Sequence, residues 1–215
     1  MTNGYGSSVH SSAANSLINL SSAASSRVAE WTSKAMNGNV KFEDALAARL
    51  ELIQPSRNDI SSCLAAHPPK LTPGITELVD ALHVRGSVVY LVSGGFRLMI
   101  EPVADQLGIP HDRIYANTIL FNSDGSYRGF DAAEPTSADG GKPAVIQRLK
   151  DAHGYTPIVM IGDGATDMQA KPPADAFIGF GGVVVRESVK DGADLFISDF
   201  GDITEVVKEG ALMKN

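Results

Sequence analysis

The chain has 215 residues, of which 43% are hydrophobic and 20% charged, and its formal net charge is −7. That length and texture suit one α/β domain, or one domain with a small insert. The acidic balance argues against a nonspecific nucleic-acid binder, which needs a basic surface to displace counterions. The single cysteine, Cys63, excludes an intrachain disulfide framework and points to a reducing, cytoplasmic setting.

The first segment is unusual. Every Lys, Arg, Asp and Glu lies after Ser26, an uncharged run that average usage would give roughly 3 times in a thousand. It has no basic n-region and no long apolar stretch, so it reads as neither a signal peptide nor a membrane span. A transit peptide would be Arg-rich, and the first Arg is Arg27. A Ser/Ala/Asn arm with little apolar surface to offset ordering entropy is the plain reading.

From Arg27 the pattern turns helical, with Val28, Trp31, Thr32 and Ala35 on one stripe. A second helix carries Phe42, Leu46, Leu50 and Ile53 and stops before Pro55, and a third covers Asn58 to Ala66. After Pro68-Pro69 helices and strands alternate. Thr72-Pro73 predicts an N-cap followed by a first-turn proline, with Ile75, Leu78, Val79 and Leu82 buried. Val88 to Val92 predicts a strand closed by Ser93-Gly94-Gly95, then a helix to Leu107 that Pro102 should kink. Segments 118–122 and 126–130 flank the hairpin signal Ser123-Asp124-Gly125. A helix opens at Lys142-Pro143 and ends near Gly154. Ile158 to Ile161 reads as the clearest buried strand, with short strands at 176–179 and 195–197. Continuously apolar strands alternating with helices imply a parallel sheet covered on both faces.

Ligands of such sheets bind beyond the carboxyl ends of the strands, and three polar signals lie at strand ends or helix starts. Ser93-Gly94-Gly95 offers a hydroxyl and close backbone approach, as an anion site or as a plain turn. Gly140-Gly141-Lys142 puts a cation at the positive end of a helix, which an anion shared with the helix N–H groups would explain; a solvated lysine is the alternative. Gly162-Asp163-Gly164-Ala165-Thr166-Asp167 brings two carboxylates to a glycine-flanked loop, suited to a hard divalent cation or to turn and cap duties.

In this order and at these places, the three motifs resemble those of the haloacid dehalogenase-like phosphatases, and within them the phosphoserine phosphatase family. Leu71-Thr72-Pro73-Gly74, Leu91 to Arg97, Asp163 to Gly182 and Ala35-Met36-Asn37-Gly38 carry the resemblance, which spans roughly residues 27–207. It implies a Rossmann-like core with helices on both faces of a parallel sheet and a small helical cap. The cap would occupy residues 25–69 and the core 70–215, after the atypical residues 1–24. It implies Mg²⁺ as cofactor and O-phosphoserine as substrate, with no nucleic-acid or membrane partner; a homodimer is among the assemblies left open. By the same resemblance Ser93 hydrogen-bonds the transferring phosphoryl group, and Lys142 neutralises it and the neighbouring carboxylate. Asp163 ligates the metal, Asp167 supports that site, and Gly94, Gly95 and Thr166 contact substrate. From the cap, Arg49 would pair with the serine carboxylate as a planar fork, with Met36 and Asn37 beside the pocket and Arg186 lining it.

The family's first motif, Asp-X-Asp-X-Thr, supplies a nucleophile and a general acid/base on the central strand. Counting back from Met36 at the family's spacing lands on Gly4-Tyr5-Gly6-Ser7-Ser8, and the cap's first acidic residue falls on Ala13. No Asp precedes Asp44. The expectation is a chain whose central first strand is missing or degraded and whose activity is small. It would be a truncated or spliced form, an incorrect gene prediction, or a noncatalytic binder of phosphate or phosphoserine.

Overall fold

A computed structural model describes residues 26–27, 30–31 and 40–210. Ser26, Arg27, Glu30 and Trp31 are helical; Gly4, Gly6, Ala13, Met36 and Asn37 lie outside the described residues. Helix α1 (Phe42–Ile53) buries Ala45, Leu46 and Leu50 and stops where Gln54 turns left-handed (φ 44°) ahead of Pro55. Helix α2 (Arg57–Ala66) starts one residue earlier than its apolar pattern predicts. The cause is a capping box, in which Ser56 Oγ accepts from Asp59 N and the Asp59 carboxylate accepts from Ser56 N.

The remaining elements in order are α3 (Ile75–Val84), β1 (Leu91–Phe96), α4 (Arg97–Gln106), β2 (Ile114–Asn117), β3 (Ile119–Phe121), β4 (Tyr127–Phe130), α5 (Gly141–His153), β5 (Val159–Gly162), α6 (Ala165–Met168), β6 (Ala176–Phe180), α7 (Glu187–Gly192), β7 (Leu195–Ile197) and α8 (Gly201–Glu209). The predicted Thr72 cap is corrected: α3 starts at Ile75 behind Gly74, whose φ of +82° keeps Pro73-Gly74 in a turn. β1 likewise starts at Leu91 rather than Val88, because Leu91 is the first residue paired with β2. Pro102 lies inside α4, which runs through it as one helix.

Among the described residues the parallel strands form two ladders, β1–β2 and β5–β6–β7, with the antiparallel hairpin β3–β4 apart. Two helices span both ladders. Leu78 and Ala81 of α3 pack with Ile178, Phe180, Phe200 and Ile203, while Val79 on the same helix packs with Ile114, Ala116 and Leu107. On the opposite face α5 contacts β1 and buries Ile146 against Met160 and Phe177. Alternation along β6 sends Phe177 to one face and Ile178 to the other, the period-2 signature of a strand covered on both sides.

β6, not β5, is the most buried strand. All of Phe177 to Phe180 are buried, whereas Val159 of β5 is 42% exposed. β6 is flanked by ladders on both edges, while β5 and β1 are each paired on one edge among the described residues. Their amino ends meet through tyrosines. Tyr90 and Tyr155 hydroxyls lie 3.3 Å apart, and the Tyr90 ring also lies 6.2 Å from that of Tyr115 in β2.

Helices α1 and α2 pack on the hairpin. Leu46, Leu50, Ile60 and Cys63 share a cluster with Ile119, Phe121 and Phe130. Arg57 donates its N–H to the Gly125 carbonyl (2.9 Å) and stacks its guanidinium over Phe121. No helix among the described residues is long and apolar enough to cross a membrane.

Burial, and then the hydrogen bond with Tyr155, push the Tyr90 phenol up to about 12. The unfolded phenol ionises near its ordinary value of about 10. The protonated form is therefore favoured by folding, and that contribution is complete below about pH 10 and lost as the pH rises towards 12. Chemical denaturation across this window should show falling stability, with a shallower fall in Tyr90→Phe.

Candidate active site

The three motifs predicted to carry chemistry converge. Gly94, Lys142 and Thr166 line one cleft, joined by Phe42, Thr136 and Asp139. Each reaches it through a local distortion that its sequence permits. Between the pairs Val92/Tyr115 and Phe96/Asn117, β1 advances four residues while β2 advances two. The surplus lifts Ser93-Gly94-Gly95 out of the ladder, as bulges beside functional sites do. Ser93 Oγ then accepts the Gly95 N–H at 3.0 Å.

A fully buried asparagine holds this bulge. Asn117 Nδ2 donates to the Gly94 carbonyl at 2.8 Å, and Asn117 Oδ1 accepts from Thr136 Oγ1 at 2.9 Å. A Cβ on residue 94 would approach Phe42 Cζ to 3.2 Å, so the ring from α1 lies directly over Gly94.

Lys142 is the second residue of α5. Gly140 enters with φ +70°, and a Cβ at 141 would sit 2.2 Å from the Pro135 carbonyl oxygen, so the helix starts where only glycine fits. Lys142 Nζ forms an ion pair with Asp167 Oδ1, at 16% and 8% side-chain exposure. The anion that explains a lysine at this helix start is therefore Asp167. Its second oxygen, Oδ2, accepts from Gly164 N at 3.0 Å. That carboxylate is folded against the end of β5, where a Cβ at 162 would meet Asp167 Cγ at 2.2 Å.

Asp163 follows directly. Its Oδ2 and its carbonyl oxygen both accept from Arg186 Nη1, at 2.6 and 2.8 Å. The residue predicted to line the pocket thus acts on the loop that forms it. Arg49 lies on α1 with one guanidinium nitrogen bound to its own helix. Its Nε donates back along α1 to the Ala45 carbonyl (3.1 Å), and burial pushes its guanidinium down from its ordinary value.

Mg²⁺ takes oxygen ligands in a near-octahedral set, usually one or two carboxylates with water and phosphate. Both Asp167 oxygens are held by Lys142 and Gly164, and one Asp163 oxygen is held by Arg186. Among the described residues no group of three or more His, Cys, Asp or Glu side chains is placed to hold a metal. These residues do not complete a divalent shell.

The sequence pattern puts Phe42 on the stripe of its own helix and marks none of Asn117, Thr136 and Glu43 as functional. Glu43 Oε2 accepts the Asp139 N–H at 3.1 Å, tying the first turn of α1 to the loop before Lys142. Its own backbone N–H and that of Asp139 hold its carboxyl below the usual range. Asn117 had a readable signal: a lone amide closing the apolar run Ile114-Tyr115-Ala116 at a strand's carboxyl end.

The chain is similar to known proteins in sequence and in fold. Residues 16–170 match the model of the haloacid dehalogenase-like hydrolases. The chain is 52% identical over 182 residues to the phosphoserine phosphatase of Bos taurus, covering 85% of this chain and 81% of that protein. It is 51% identical over 182 residues to the phosphoserine phosphatase of Homo sapiens, with the same coverage. Among solved structures it resembles a phosphoserine phosphohydrolase-like protein from Francisella tularensis, with a TM-score of 0.74 and 28% identity over 95% of this chain and 92% of that one. It also resembles a phospho-aspartyl intermediate analogue of phosphoserine phosphatase, with a TM-score of 0.70 and 26% identity over 85% of each chain.

Replacing Asn117 by Leu should strand the buried Thr136 hydroxyl, at about 1–3 kcal/mol, and release the half-buried Gly94 carbonyl to the cleft. Thr136→Val should cost less, because Asn117 keeps its bond to Gly94. Urea denaturation of both variants measures the difference.

Proposed function

The chain belongs to the haloacid dehalogenase-like hydrolase family, among its phosphoserine phosphatases, and from that premise we propose that its cleft binds O-phosphoserine and hydrolyses it slowly at most. The observation that carries the reading is the meeting of Gly94, Lys142 and Thr166 on one cleft. In this reading the phosphoryl group lies against Ser93 and the bulged backbone of Gly94-Gly95. Lys142 supplies the positive charge from the start of α5, and Thr166 adds a hydroxyl. The Phe42 ring covers the cleft from the α1 side, excluding water from one flank. Arg49, whose Nε is bound to the Ala45 carbonyl, would offer its two Nη groups to the carboxylate of the substrate's amino acid.

Hydrolysis breaks the phosphorus–oxygen ester bond and moves the phosphoryl group to water, which needs a nucleophile and a proton donor for the departing serine oxygen. Carboxylates do both in this family. Here the first acidic residue of the sequence is Glu30 and the first Asp is Asp44, which is exposed in the first turn of α1. Asp163 and Asp167 are each held by a cation, Arg186 and Lys142. Asp167 has both oxygens engaged and Asp163 one. The binding side of the reaction is therefore furnished more fully than the bond-breaking side.

Haloacid dehalogenase-like phosphatases generally use Mg²⁺, which stabilises charge on the transferring phosphoryl group. Of the two predicted ligands, Asp167 has both oxygens engaged, whereas Asp163 has only Oδ2 held by Arg186. A cytoplasmic setting agrees with a single, buried, unpaired Cys63.

Phosphate release from O-phosphoserine with Mg²⁺, compared between the natural chain and the double variant Gly4→Asp/Gly6→Asp, tests the reading. Restoring the acidic pair should raise turnover by at least the ~10²–10⁴-fold typical of general acid–base catalysis. Robust turnover by the natural chain, or none gained on restoration, would contradict it. Lys142→Met should weaken phosphate binding by at least about tenfold, read by calorimetry.

A further inference from the structure

We propose that Arg186 is the standing counter-charge of Asp163, in the place a divalent ion would take, and that the cleft consequently binds a phosphate dianion without metal. The inference rests on the reading of the cleft as a phosphoryl site.

The contact is specific in geometry. Arg186 is the residue just before α7, next to Val185, which is 51% exposed. Its guanidinium nevertheless turns inward, and one nitrogen reaches both the carboxylate and the carbonyl of Asp163. Both side chains are about three-quarters covered, at 24% and 28% exposure. A guanidinium–carboxylate contact of 2.6 Å is at the short, charge-assisted end of hydrogen bonding. Arg cannot be deprotonated to make way for a cation.

Charge balance points the same way. The loop's two carboxylates are matched by two cations, Lys142 with Asp167 and Arg186 with Asp163. An ion arriving at Asp163 must expel the guanidinium or share one carboxylate with it against like-charge repulsion. Residues 1–26 contain no acidic side chain to tip that competition. An anion need expel neither cation, since Lys142 lines the cleft beside the N–H groups at the start of α5; Asp139 is the one acidic side chain in that described lining.

Two titrations test this. In the first, Mn²⁺ alone is added as a paramagnetic probe to the natural chain, to Arg186→Gln and to Arg186→Gln/Asp163→Asn. The natural chain should bind weakly, the single variant at least about tenfold more tightly, and the double variant weakly again. Binding in Arg186→Gln no tighter than in the natural chain overturns the proposal. In the second, inorganic phosphate is titrated into the natural chain in chelator and in Mg²⁺. Affinities within about threefold of each other support the proposal, and binding seen only with Mg²⁺ overturns it. Phosphate binding under neither condition overturns the phosphoryl reading of the cleft instead, while the Mn²⁺ series still decides the role of Arg186. If Arg186→Gln does not fold, Arg186→Lys provides the comparison; its point charge lacks the planar fork, and Mn²⁺ affinity should rise above that of the natural chain.

Discussion

One buried carboxylate fixes the geometry of the cleft. Asp167 touches Lys142 from α5 and the Gly164 amide from its own loop, and it lies against the end of β5 with no room for a side chain at 162. Three segments distant in sequence are thereby set against one another. Burial of such a charge is tolerable because both oxygens are partnered, one by a cation and one by an amide. Removing any partner would leave an uncompensated charge at 8% exposure, so the arrangement holds together or fails together. The glycines at 141 and 162 are part of the same constraint, each marking a place where backbone or carboxylate comes too close for a Cβ.

The sheet has a different kind of organisation. Among the described residues its two parallel ladders, β1–β2 and β5–β6–β7, share no strand pairing, and side chains link them. Helix α3 lies across both on one face and α5 on the other, with Tyr90 and Tyr155 meeting at the amino ends. β6, paired on both edges, is the most buried of these strands. A cleft built from the ends of β1 and β5 depends on those helices keeping the ladders in line.

Much of this was legible in the sequence, and the failures have physical causes. The three polar motifs were readable because glycines beside a charged residue at the end of an apolar run have few other uses, and all three meet at one cleft. The short strands β2 and β7 differ in this respect. β7 announces itself as Leu195-Phe196-Ile197, while β2 carries Tyr115 and Asn117 and owes its place to pairing with β1. The start of α3 is not legible because Pro73 fits a first helical turn by its own φ, whereas Gly74 beside it adopts a left-handed conformation that local propensity does not reveal. The partners of charged side chains were the least legible. Nothing in the one-dimensional pattern says that Arg49 folds onto Ala45 or that Arg186 reaches Asp163 across 23 residues, since long flexible side chains find their partners only in the assembled structure.

The approach of Phe42 to Gly94 has a consequence for how this protein can change over evolutionary time. The two positions lie 52 residues apart in the chain yet draw on a single volume, because the ring stands within van der Waals reach of where a Cβ at 94 would be. A side chain gained at 94 has room only if the aromatic ring at 42 shrinks or swings away, and that same ring covers the cleft. Substitutions at these sites are therefore conditional on each other. A lineage that altered the lid would pass most easily through losses at 42 before gains at 94, leaving a correlated history in two segments that share no secondary structure.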